Sequence, residues 1–302
     1  MEALTSPGNL AKLGVFSADA FATIIGVKAH SNADGLGDVD AWQSEEKRLW
    51  TLGNILLRRN EMQPVERQQM IWAQFCALYL PATVDCYIDP PVIPSKDPAD
   101  IAMFRIFNPC GDLIVHLQSS PYFAKYFRSQ TPLAANGKKF PSILAERIAD
   151  VAFNLERELR NATTTPERVT HLKATLASPI QLLSTMCTTF IKETDQEAVI
   201  PTALRARLKP LMKLWSQRYS EEILGLVSLQ VWGAWSQELS DGLAGEIKKV
   251  RKKTLGWDVC GLPECNVSKD LKACSKCQTV RYRQLDANMQ VHSRASTNAL
   301  EM

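Results

Sequence analysis

Four of the chain's eight cysteines stand within 18 residues, spaced Cys260-x4-Cys265-x8-Cys274-x2-Cys277. Thiolate sulfur is a strong ligand for Zn²⁺, and four thiolates at about 2.3 Å complete a closed tetrahedral structural site. The tightest pair is Cys274-Ser275-Lys276-Cys277, where two intervening residues let a turn present both sulfurs to one ion. In the first pair, Gly261 and Pro263 allow the chain to bend between Cys260 and Cys265. Lys269, Lys272 and Lys276 favour the ionised thiol and offset the charge of a thiolate cluster. Thiols gathered this densely serve a metal or a redox task more often than none. The candidate site is therefore Cys260, Cys265, Cys274 and Cys277, with Zn²⁺ as the expected cofactor.

This segment resembles the first half of a MYND-type zinc finger. The two cysteine pairs carry the resemblance, together with Leu271-Lys272-Ala273-Cys274-Ser275-Lys276-Cys277 and the following Val280-Arg281-Tyr282. The chain also resembles the helical fungal proteins that end in such a finger. The family binds two zinc ions with seven cysteines and one histidine; alternate ligand pairs share an ion. In this chain Arg283 follows the aromatic residue where the family has a cysteine, and no cysteine follows Cys277. His292 is the one later residue that echoes the family's ligand histidine.

Three arrangements follow from that departure. All four cysteines gather on one zinc, or the finger is vestigial and metal-free, or the chain carries a shortened or mis-spliced version of a longer finger. The abrupt loss of pattern after Tyr282 favours the third as the origin. For the chain as it stands, the expectation is at most one zinc on the four cysteines. A degenerate arrangement with His292 as a ligand is the fallback.

The rest of the chain must position this segment. Leu144, Ile148, Val151, Ala152, Leu155 and Leu159 recur at steps of three and four, which predicts one helical face. Ser142 is placed to cap that helix and Glu146 to assist its first turn. A second stripe runs from Leu204 to Tyr219, with Pro210 expected to kink or split it. A third runs Leu224, Val227, Val231, Trp235, with Glu221 and Glu222 in the first turn. Further helices are expected near 17–29, 39–59, 65–80, 98–107, 110–119 and 166–192, the last broken at Ser178-Pro179. Asp89-Pro90-Pro91 and Asn136-Gly137 read as turns. The expected fold is all-α. An irregular multi-helix domain spans 1–254, and a small truncated zinc-finger-like module spans 257–302. Gly256 serves as a helix stop at the boundary.

In this helical part no nucleotide-binding or hydrolase motif occurs, and His30, His116 and His171 stand far apart in sequence. Cys76, in the apolar run 71–80, reads as a small core residue, and the tryptophans read as core anchors. The 302 residues are 45% apolar and 22% charged, which suits a globular chain. No apolar stretch reaches the roughly 18 residues of a membrane span, and the N-terminus does not read as a secretory signal. The expected location is intracellular, cytoplasmic or nuclear, where thiols stay reduced.

Residues 241–302 carry 11 Lys/Arg against 7 Asp/Glu, so an excess of +4 lies there, while residues 1–240 sum to −1. The run Lys248, Lys249, Arg251, Lys252, Lys253 suits the C-terminal end of a helix. So modest an excess does not call for nucleic acid. The resemblance implies a non-enzymatic, zinc-binding adaptor for a protein or short peptide partner. A SET-type methyltransferase relative and a nucleic-acid-binding regulator are the alternatives.

Overall fold

The computed structural model describes residues 17–29, 52, 56, 65–92, 95–118, 120–128, 135–191, 196–236, 242, 244–249, 272–273 and 281–282. These residues are predominantly helical, as the apolar stripes predict. In chain order the helices are α1 (Ala18–Ile24), α2 (Val65–Ile88), α3 (Pro98–Ile106), α4 (Pro109–Leu117) and α5 (Pro121–Arg128). There follow α6 (Ala135–Leu159), α7 (Pro166–Thr185), a π-helical turn (Met186–Phe190), α8 (Gln196–Val199), α9 (Thr202–Arg218) and α10 (Ile223–Ser236). Two strands, β1 (Lys272–Ala273) and β2 (Arg281–Tyr282), form an antiparallel pair.

Contacts group the chain into two units. The first comprises Met1–Cys86, Ser119–Ala134 and Leu255–Met302, and the second Tyr87–Gln118 and Ala135–Thr254. Neither charge nor turn signals mark this division within residues 1–254.

In the first unit, the Ser17 hydroxyl accepts from the Ala20 N–H at 3.0 Å and starts α1. Gly26, with φ 81°, turns the chain out after Ile25, so α1 is shorter than the expected 17–29. Phe21 of α1 packs on Trp72 of α2 with ring centroids 5.0 Å apart. Asp19 accepts from Tyr79 at 2.5 Å and pairs with Lys28 at 2.8 Å. α2 runs on through Pro81 to Ile88 because Leu80, Val84 and Tyr87 continue its buried face. It stops at the predicted Asp89-Pro90-Pro91 signal. α5, which buries Tyr122, Phe123 and Tyr126, escapes the sequence reading, since eight residues are too few to establish a stripe.

In the second unit three helices begin with the same device. Asp97, Asn108 and Thr165 cap Ala99, Gly111 and Arg168 respectively, and a proline follows each cap. Proline suits the first helical position, where its missing N–H has no intrahelical partner anyway. α6, α7, α9 and α10 supply most of the core, with Trp215 wholly buried.

Several local expectations are corrected here. α6 starts at Ala135, so Asn136-Gly137 is helical rather than a turn. For the same reason Ser142 is no cap, and Glu146 lies beyond the first turn. α7 passes unbroken through Pro179, which is itself buried beside Leu176, Ile180 and Leu183. Burial of that face offsets the lost backbone bond. α9 likewise is not split at Pro210. Glu222 precedes α10, accepts the Leu226 N–H through its carbonyl, and pairs with Lys173 at 2.7 Å. Residues 39–51 and Gly256 lie outside the described residues.

Candidate metal centre

Cysteine chemistry divides along the chain. Cys76, Cys110 and Cys187 are buried and Cys86 is half-buried, and none of the four is disulfide-bonded. Burial pushes the thiols of Cys76 and Cys187 up to about 12, so both stay protonated at neutral pH. A protonated buried thiol is neither a nucleophile nor a metal ligand. Cys76 is thus the small core residue its apolar run predicts. Trp72, Trp215 and Trp235 are buried as core anchors.

Cys260, Cys265, Cys274, Cys277 and His292 lie outside the described residues. Close to them the strand pair is described: Lys272 faces Tyr282 and Ala273 faces Arg281. Antiparallel partners hold Cα atoms about 5 Å apart. Ala273 and Arg281, the residues that bracket Cys274 and Cys277 in sequence, are therefore paired side by side. Four thiolates match the donor set of a structural zinc site, with no position left over for water. Among the described residues no group of three or more His, Cys, Asp or Glu side chains is placed to hold a metal. His116 sits on α4 and the exposed His171 on α7.

Two buried polar clusters in the second unit escaped the sequence reading. Arg147 of α6 is 7% exposed. Its guanidinium donates to the carbonyls of Tyr87, of Ile88 at 2.8 Å and of Arg105 at 2.7 Å, and stacks 4.4 Å from the Tyr87 ring centroid. These carbonyls lie at the C-terminal ends of α2 and α3, where a cation is favoured. Glu156, also 7% exposed, accepts from the Trp215 indole at 2.7 Å and from Arg218. The available signal was a charged residue bordering the apolar stripe of α6. In both clusters the polar atoms are spent on helix ends or on each other, which makes them fold determinants.

No family model, curated protein or solved structure matches the chain.

Proposed function

We propose that the protein is a non-enzymatic, zinc-binding interaction adaptor in which Cys260, Cys265, Cys274 and Cys277 hold one Zn²⁺. The observation that carries this reading is the four-cysteine cluster, whose spacing resembles a MYND-type finger up to Tyr282. The β1–β2 pairing supports it, because it organises the backbone on either side of the second cysteine pair. Bound there, the ion would act as a structural cross-link, and its binding energy would be folding energy for so small a module. The reading requires the chain between Cys265 and Cys274 to turn the first pair towards the second. The lysines at 269, 272 and 276 balance the charge of the thiolates.

The partner is a protein or short peptide. An extended segment laid along an exposed strand edge is the mode such modules use. The helical units serve as scaffold. A SET-type methyltransferase domain is strand-rich, so the helical character of the described residues favours the adaptor. The reading includes an intracellular site of action, where the thiols stay reduced. Among the described residues no helix is long and apolar enough to cross a membrane.

Metal analysis of the full chain, purified with zinc present and then gel-filtered, tests the proposal. One equivalent of zinc is the expected result. A metal-free protein with all four thiols reactive would remove the reading.

A further inference from the structure

In the second unit, α3 and the C-terminal half of α6 flank an open groove with a cavity volume of about 910 Å³. Ala99, Ala102 and Met103 line it from α3, and Val151 and Leu155 from α6. The small alanines keep the groove open, and the unbranched Met103 can adapt to different shapes. Phe153 stands at this groove with 55% of its surface exposed, although Asp150, Asn154 and Arg157 beside it on α6 are the polar residues expected on a solvated face. An exposed phenyl ring beside a concave apolar floor marks a contact surface.

Three carboxylates and three arginines line the groove, and ion pairs to Arg207 and Arg218 outside it leave two of its own arginines over. Its carboxylates are engaged: Glu156 with Arg218, Glu158 with Arg168 at 2.7 Å, and Asp150 with Arg207 at 3.4 Å. Arg157 and Arg160 have no carboxylate partner among the described residues, and Arg157 bonds only Asn154, at 3.2 Å. Arg157 lies in the last turn of α6 and Arg160 just beyond it, at a helix end that carries about half a negative charge. Two guanidinium groups exceed what that helix end requires.

We propose that this groove docks a short amphipathic helix that sets an apolar face on Phe153 and Met103 and an acidic flank against Arg157 and Arg160. Two helices form the groove, and the described residues of this unit offer no strand edge. Recognition therefore runs through side chains spaced for a helix. The inference does not depend on the zinc site.

The test uses two fluorescein-labelled synthetic helices of about 14 residues (roughly four turns) with identical Leu/Phe faces. One is flanked by Glu and the other by Lys, and each is titrated against the full chain by anisotropy. The Glu peptide should bind roughly tenfold tighter than the Lys peptide. Phe153→Ala should weaken it by roughly tenfold, as loss of a buried aromatic anchor does. The pair Arg157→Glu and Arg160→Glu should invert the preference. These positions are exposed, so far-UV circular dichroism should be unchanged. Equal affinity for the two peptides, no binding, or binding indifferent to all three substitutions overturns the proposal.

Discussion

At the scale of single residues, Arg147 shows how a buried charge is made tolerable. Its guanidinium meets three main-chain carbonyls at two helix ends and the face of Tyr87. A planar fork can serve three acceptors at once, whereas a lysine ammonium cannot match that geometry. Arg147→Met should lower stability by about 3 kcal/mol, because it strands buried carbonyls that cost about 1–3 kcal/mol each when unpaired. The urea midpoint reads this directly, and an unchanged midpoint would count against the role.

Asp112 presents the opposite case. It lies in the first turn of α4, where the helix end favours a carboxylate, yet burial raises its carboxyl from 3.8 to about 6. Burial outweighs the roughly 0.3–1 kcal/mol that a helix end supplies. Between those two values the folded state keeps a proton that the unfolded chain has lost. Stability from this group is therefore full below about 4 and falls as pH rises through about 6. Asp112→Asn should flatten that slope and raise the melting temperature at neutral pH. A steeper slope, or a lower melting temperature there, would contradict the assignment.

At the scale of elements, helix starts were easier to read than helix interiors. The cap-and-proline beginnings of α3, α4 and α7 are local chemistry and stand in the sequence. Pro81, Pro141, Pro179 and Pro210 are breakers by local chemistry too, yet each lies inside a helix. Tertiary burial overrides them, and burial is not a local property. The same limit hid the start of α6 behind Asn136-Gly137.

Packing also decides at Gly225, where α9 turns back into α10. A Cβ there would stand 1.8 Å from the Tyr219 carbonyl oxygen. Gly225→Ala must therefore push the two helices apart, with an expected loss of roughly 2–3 kcal/mol. Thermal unfolding measures it. A variant as stable as the parent would mean that the α9–α10 turn can relax freely.

At the scale of the whole molecule, the helical class was legible because long stripes such as Leu144 to Leu159 average over many residues. The division into two units was not legible, since it depends on which helices meet rather than on composition. The candidate site was legible only as spacing. The spacing of Cys260 to Cys277 is what motivates the zinc proposal, and the register of Lys272 with Tyr282 adds the pairing that flanks its second half.

The central claim is that the two cysteine pairs share one ion. Its most direct test is metal content in Cys260→Ser and Cys274→Ser beside the parent chain. One equivalent in the parent, lost in each variant alone, is the predicted result, because a tetrahedral site lacking a thiolate opens to water. Two equivalents in the parent, or loss in only one variant, would contradict a shared site and point to a degenerate arrangement with His292 as a ligand.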